Sequence, residues 1–173
     1  MKILQVFYLL FCLLLLASCS TSKQSTQKRD NKSVIYKKES AKASGEAQRI
    51  INYASQFKGT PHQLGGTTPR GFDCSGFVQY VYRNFNYHLP RTSSEQSNVG
   101  KSINRNQLNP GDLVFFATGK SKSTVSHVGI VVAAYTNGSF QFIHVSSCRG
   151  VTEDFSDIPY WNQRYLRGRR VLR

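Results

Sequence analysis

Cys74 lies where a turn-forming segment, residues 71–73, passes into a run with helical spacing. The apolar positions of this run are Phe77, Val78, Val81, Tyr82 and Phe85. Their spacing predicts an amphipathic helix that begins at or just after Cys74. Unpaired backbone N–H groups and the positive end of the helix dipole favour a thiolate there. We therefore predict that Cys74 is a nucleophile that ionises more readily than an ordinary cysteine.

Two histidines downstream can serve such a thiol, which needs a base for its proton and a third group to orient that base. His127 opens an apolar run, 128–134, and His144 lies in an alternating run, 139–145. Both runs are typical of strands. Asn137-Gly138 between them is typical of a two-residue hairpin turn, so we predict that both histidines lie on one antiparallel hairpin.

The register of this hairpin decides whether the two rings meet. With a two-residue loop at Asn137-Gly138, His144 would pair with Val131, which faces the same side of the sheet as His127. Four residues separate Val131 from His127, which is roughly 13 Å along a strand. We therefore expect a wider loop or a bulge to shift the register.

Several separated motifs occur in a specific order. They are GFDCSGF at 71–77, LPRTSSEQ at 89–96, PGDLVFF at 110–116, SHVGI at 126–130 and FIH at 142–144. In this order they resemble the NlpC family of bacterial cell-wall cysteine peptidases, from about Gln48 to Arg173. The ending, PYW at 159–161 and RRVL at 169–172, is most similar to the short Spr-type lipoproteins of that family.

The resemblance implies a papain-like α+β fold, in which helices, one with the nucleophile at its N-terminus, pack on a central antiparallel sheet. It implies a catalytic triad of Cys74, His127 and His144 that hydrolyses amide bonds in the stem peptides of peptidoglycan or in their cross-links. Family members cut between γ-D-glutamate and the diamino acid, whereas the Spr type opens D,D cross-links. In some members the residues that flank the nucleophile, here Asp73 and Ser75, bind the substrate's free amine. We expect a monomer without a cofactor.

One position departs from the family pattern. A tyrosine commonly stands two residues before an apolar-Gly-Gly turn, with its hydroxyl near the thiol, and here that position is His62. A neutral imidazole donates one hydrogen bond, as a phenol does, but it titrates near pH 6.5. We expect His62 to be the second oxyanion donor.

Two other interpretations compete with catalysis. A murein-binding lipoprotein could retain the fold without turnover, and the exchange at His62 motivates this alternative. A zinc site could use Cys74, His127 and His144, but the sequence has no closely spaced ligand pair, so we expect no metal.

The first residues predict export and lipidation. A positive charge at Lys2 precedes a largely apolar segment, residues 3–16, and Leu16-Ala17-Ser18-Cys19 is typical of a bacterial lipoprotein signal. An ordinary secretory signal is the alternative. We expect cleavage before Cys19 and attachment of a diacylglyceryl group to it. The resemblance to lipoproteins implies a further, palmitate-type chain on its amine, and two or more chains give stable anchoring. Ser20 is not an aspartate, so by analogy with enterobacterial sorting we expect the outer membrane, facing the periplasm.

Composition divides the remaining chain into a tether and one domain. Residues 19–44 are mostly polar and basic and cannot bury a core, so we predict a flexible tether followed by a peptidase domain at 45–173. The whole chain has a net charge of +14, and the domain has 15 basic and 7 acidic residues. No nucleic-acid motif accompanies this charge, so we expect attraction to murein carboxylates or anionic headgroups, or merely a solvated surface.

Only two thiols remain if Cys12 is cleaved off and Cys19 is lipidated. A disulfide between Cys74 and Cys148 would silence the enzyme, and the alternative is that Cys148 is a spare cysteine.

Overall fold

A computed structural model of the 173-residue chain describes residues 41–173. The predicted signal at 1–18, the predicted lipidation site at Cys19 and the predicted tether as far as residue 40 lie outside the described residues. The helices are α1 (Gly45–Ser55), α2 (Cys74–Arg83), α3 (Ser93–Gln96) and α4 (Pro159–Asn162), with a 3-10 helix at Arg105–Gln107. The strands are β1 (Thr67–Thr68), β2 (Gly71–Phe72), β3 (Lys101–Ile103), β4 (Leu113–Phe116), β5 (His127–Ala134), β6 (Phe140–Ser146), β7 (Gly150–Phe155) and β8 (Tyr165–Arg170).

Six strands form one antiparallel sheet in the order β3-β8-β4-β5-β6-β7. Strands β1 and β2 form a separate short hairpin that leads directly into α2. Helix α2 packs against β5 and β6. Helices packed on a central antiparallel sheet confirm the predicted α+β fold.

The sheet is covered on both faces, as the uninterrupted apolar sequence of β4 requires. Leu113 and Phe115 belong to a core that includes the apolar stripes of α1 and α2. Val114 and Phe116 belong to a second core, which includes Trp161 of α4. Helix α2 and helix α4 therefore pack on opposite faces of the sheet.

The loop between β5 and β6 is wider than predicted. The Tyr135 N–H donates to the Ser139 carbonyl (2.9 Å), and the Gly138 N–H donates to the Tyr135 carbonyl (3.0 Å). Three residues, 136–138, therefore form the loop, and Gly138 takes a positive φ of 76°. The prediction of a two-residue turn at Asn137-Gly138 is therefore wrong. The hairpin is closed by a tight turn followed by one residue in the left-handed conformation.

A second irregularity shifts the register by one more residue. The pairing of β5 with β6 slips between Val131 and Ala133, which leaves one extra residue on β5. His144 consequently pairs with Gly129, two residues closer to His127 than the simple hairpin allows. The expectation of a wider loop or a bulge is confirmed, since both are present.

Helix α2 begins at Cys74, as its sequence predicts. Its N-cap is Asp73, whose carboxylate accepts a hydrogen bond from the Gly76 N–H (2.7 Å). The backbone at Gly76 also passes very close to the carbonyl oxygen of Gly66, which precedes β1. Only a glycine fits two residues after Cys74, because a larger side chain would overlap with this oxygen.

We predict that Gly76→Ala destabilises the fold, because its Cβ would overlap with the Gly66 carbonyl oxygen and the backbone would have to move. The expected loss in the free energy of unfolding is about 1–3 kcal/mol, measured by urea titration. Gly45→Ala at the start of α1 is the matched control, since no atom lies within 4 Å of its new Cβ. Equal stabilities for the two variants would contradict this account.

Candidate active site

One cleft of about 990 Å³ brings together every site residue predicted within the described chain. Its lining includes His62, Asp73, Cys74, Ser75, His127 and His144. It also includes residues that were not predicted as site residues, notably Arg91, Arg149, Asp154 and Trp161. A cleft of this size can admit a peptide substrate.

The two histidines form a direct hydrogen bond. His127 Nε2 and His144 Nδ1 are 3.0 Å apart, because the shifted register makes the two residues diagonal neighbours. His144 is only 1% exposed, whereas His127 is half-buried at the start of β5. Of the two histidines, His127 is therefore the one with access to the cleft, and the buried His144 is placed to orient its ring.

Asp154 extends this chain of hydrogen bonds and was missed from the sequence. Its Oδ2 lies 3.0 Å from His144 Nε2 and also accepts hydrogen bonds from Trp161 Nε1 (3.0 Å) and Arg149 Nη2 (2.7 Å). Burial alone would raise the pKa of Asp154, but these hydrogen bonds outweigh burial and hold it far below its usual range. Asp154 lies on β7, the strand that follows β6. Its proximity to His144 can be inferred only when the pairing of β6 with β7 is known.

Trp161 packs against both imidazoles. Its ring stacks on His127 with a centroid distance of 5.5 Å, and it meets the edge of His144 at 4.9 Å. The sequence places Trp161 only in the ending motif at 159–161 and does not predict its contact with the histidines. Packing of this kind restricts the orientation of both rings.

The pKa of Cys74 is raised, not lowered. Burial is the largest cause and the Asp73 carboxylate is the second, and together they outweigh the backbone N–H groups of Val128 and Ser75, which favour the thiolate. The prediction that Cys74 ionises more readily than an ordinary cysteine is therefore wrong. The helix N-terminus is present, but the desolvation of the thiol is the larger effect.

The imidazole of His127 is also kept neutral. Burial, followed by repulsion from His144 and His62, lowers the pKa of His127 to about 3, although the Asp154 charge opposes this shift. At neutral pH the resting site thus contains a neutral thiol and a neutral imidazole. Chemistry that uses the Cys74 thiolate would therefore have to remove this proton during the reaction.

Asp73 and Ser75 are engaged by Arg91. Arg91 Nη1 donates to Asp73 Oδ1 (3.1 Å) and to Ser75 Oγ (3.0 Å), and its Nη2 contacts Asp73 Oδ2. Burial would raise the pKa of Asp73, but the hydrogen bonds from Arg91 and Gly76 lower it. A substrate amine at Asp73 would therefore have to compete with a guanidinium that is already paired.

His62 is exposed at the rim of the cleft, where a backbone bridge to Phe72 holds it beside β2. Its charge is close enough to His127 to affect the pKa of that residue. Its role as an oxyanion donor stays a prediction.

Cys74 and Cys148 are both free thiols, and Cys148 is exposed. Within residues 41–173 no group of three histidine, cysteine or acidic side chains is arranged to hold a metal ion. Across the same residues no helix has the length and apolarity needed to cross a membrane.

A helix-terminal cysteine beside a hydrogen-bonded histidine pair is an arrangement that cysteine hydrolases use. The NlpC/P60 family matches residues 59–170, and the chain belongs to that family. The resemblance seen in the sequence is confirmed.

Named relatives and solved structures agree with this assignment. The chain is 45% identical over 125 residues to the murein DD-endopeptidase MepS/murein LD-carboxypeptidase of Escherichia coli, covering 72% of this chain and 62% of that protein. It is 33% identical to a "probable endopeptidase" of Haemophilus influenzae, covering 99% and 100% of the two chains. An NlpC/P60 family crystal structure from Bacillus cereus superposes with a TM-score of 0.66 at 34% identity, covering 73% of this chain and 40% of that one.

We predict that His127 makes the fold sensitive to acid. In the folded state this imidazole stays neutral down to about pH 3, whereas in the unfolded chain it binds a proton near pH 6.5. Its contribution to stability is complete above pH 6.5 and is lost as the pH falls toward 3. Lowering the pH from 7 to 5 should therefore reduce the free energy of unfolding of the wild type. The same change of pH should reduce that of His127→Gln by about 1 kcal/mol less, a figure that allows for the partial solvent contact of the ring.

Urea unfolding at the two pH values measures this difference. His88→Gln, which removes an exposed histidine outside the cleft, is the control and should follow the wild type. An identical pH dependence in His127→Gln and the wild type would refute the assignment.

Proposed function

We propose that the chain is a peptidoglycan endopeptidase that hydrolyses amide bonds of stem peptides or their cross-links by cysteine catalysis. The observation that carries this proposal is the 3.0 Å hydrogen bond between His127 and the buried His144, in the same cleft as Cys74. A histidine pair beside a helix-terminal thiol supplies a nucleophile, a base and an orienting group. The names of the relatives, murein DD-endopeptidase and probable endopeptidase, support the same reaction.

The mechanism begins from neutral groups. As the substrate carbonyl approaches, His127 takes the Cys74 proton and the sulfur attacks the carbonyl carbon. The backbone N–H of Cys74 and the His62 ring are our candidates for the donors that stabilise the oxyanion. The intermediate then collapses to an acyl-enzyme, while the leaving amine takes the proton from His127. Water, deprotonated by His127, releases the acyl group and regenerates the thiol.

For the scissile bond we propose the D,D cross-link. Arg91 already pairs with Asp73 and Ser75, the two residues that would bind a free amine in a γ-D-glutamyl substrate. A cross-linked stem peptide needs no free amine at that position, so it need not displace the guanidinium. The name of the 45%-identical relative, a DD-endopeptidase, supports this choice.

We also propose lipid anchoring at Cys19, in the outer membrane and facing the periplasm. The apolar segment at 3–16, the residues before Cys19 and the serine after it support this location. Cys19→Ala should move the protein from the membrane fraction to the soluble fraction, as measured by fractionation and by the mass of the N-terminal peptide. Retention of that variant in the outer membrane would contradict lipid anchoring at Cys19.

A second candidate function is murein binding without turnover. The raised pKa of the Cys74 thiol and the histidine at position 62 both favour it over an efficient enzyme. The two functions differ in their products, since binding creates no new chain ends.

We predict that Cys74→Ser lowers hydrolysis of purified sacculi by more than about a thousandfold, because a hydroxyl is a far weaker nucleophile than a thiol. Folding should be unchanged in thermal unfolding. Cys148→Ser, which alters the other free thiol, is the matched control and should retain activity. Full activity in Cys74→Ser would exclude this residue as the nucleophile.

We predict that a defined D,D cross-linked muropeptide dimer is converted into two monomers with intact stem peptides. Mass spectrometry of the products measures this directly. Products in which alanyl-γ-glutamate stays on the sugar and the diamino acid has a new amino terminus would instead identify the γ-D-glutamyl bond. If the wild type forms no product between pH 5 and 9 yet co-sediments with sacculi, the protein is a binding module.

A further inference from the structure

The carboxylate of Asp154 is held as a pure hydrogen-bond acceptor behind the histidine pair. Its side chain is 11% exposed, and Arg149 Nη2 donates to both of its oxygens, at 2.8 and 2.7 Å. Trp161 Nε1 donates to Oδ2, which also faces His144 Nε2 at 3.0 Å. Indole and guanidinium nitrogens only donate, so an ionised Asp154 meets the requirements of both.

This acceptor determines where the protons lie on both imidazoles. Because Asp154 accepts from His144, the proton of a neutral His144 resides on Nε2 and its Nδ1 keeps a lone pair. That lone pair faces His127 Nε2 at 3.0 Å, so His127 carries its proton on Nε2. The remaining nitrogen, His127 Nδ1, is then unprotonated and free to accept a proton.

We propose that Asp154 is a positioning residue that fixes the tautomers of His144 and His127 so that His127 Nδ1 is the base for Cys74. This inference deepens the proposed function of the site and depends on it. Asp154 does not touch the reacting atoms, and it acts through His144. The site thus contains a relay of Asp154, His144 and His127 instead of a histidine pair alone.

The proton balance of the step is simple. The Cys74 S–H bond breaks, its proton forms an N–H bond at His127 Nδ1, and the electron pair left on sulfur attacks the carbonyl carbon. His127 becomes a cation with protons on both nitrogens. The negative charge of Asp154, one ring away, stabilises that cation, and Asp154 remains a carboxylate throughout.

The opposite arrangement would disable the base. If His144 presented an N–H at Nδ1, His127 Nε2 would have to accept it, and the neutral His127 would carry its proton on Nδ1. Removing the carboxylate permits this arrangement, because an amide at position 154 can also donate to His144 Nε2. Asp154→Asn is therefore the informative change.

The first test reads the tautomers without turnover. Long-range ¹H–¹⁵N spectra of the labelled full chain at pH 7 should show both rings protonated at Nε2 in the wild type. Asp154→Asn should convert a substantial part of His144 to the Nδ1–H form. A wild type with its His144 proton on Nδ1 would overturn the proposal, even if the variant failed to fold. So would a folded Asp154→Asn variant with unchanged tautomers.

The second test is kinetic and uses a cross-linked muropeptide. Asp154→Asn should lower kcat by about ten- to a hundredfold with little change in KM. In a His144→Gln background the same change should cost less than about twofold, because its effect passes through His144. An equal loss in both backgrounds would refute action through His144.

Glu153→Gln is the matched control. It removes one negative charge from the neighbouring position of β7, where Glu153 pairs with Lys58 away from the cleft lining. It should leave both kcat and the tautomers unchanged, and an effect as large as that of Asp154→Asn would reduce the proposal to a general charge effect and overturn it. Failure of the proposed function has a different result, namely no hydrolysis by the wild type, while the tautomers still test Asp154.

Discussion

The site depends on the register between β5 and β6. A regular hairpin closed by a two-residue turn would leave the two histidines roughly 13 Å apart. A three-residue loop and one extra residue on β5 together move His144 opposite Gly129, and the ring nitrogens then meet at 3.0 Å. A second, regular pairing of β6 with β7 places Asp154 opposite Phe142. The two pairings together bring His127, His144 and Asp154 into one hydrogen-bonded chain.

Burial keeps the Cys74 thiol and the His127 imidazole neutral. The thiol of Cys74 and the imidazole of His127 are both desolvated, which raises the pKa of the first and lowers that of the second. A stable resting ion pair is therefore disfavoured, and charge develops only when a substrate is attacked. The ionised Asp154, compensated by Arg149, is the permanent charge on the far side of the histidines.

The groups around Asp73, on the other side of Cys74, are arranged differently. Asp73 caps the helix that presents Cys74 and is also paired with Arg91. Its charge raises the pKa of the thiol, while its hydrogen bond to Gly76 holds the first turn of the helix. Asp73 thus stabilises the start of α2, but its charge also makes the Cys74 thiol harder to ionise. Pairing with Arg91 makes its carboxylate less available to a substrate amine.

Local sequence determined the helix start at Cys74 and the strands that begin at His127 and end after His144, because apolar periodicity acts over a few neighbours. The α+β class followed from the ordered motifs and the family that they resemble. Tertiary structure alone decided the register, since the extra residue on β5 has no local signature. Asp154 and Arg91 joined the site only through strands and loops distant in sequence. The raised pKa of Cys74 was also decided there, because desolvation depends on what the whole fold packs around the thiol.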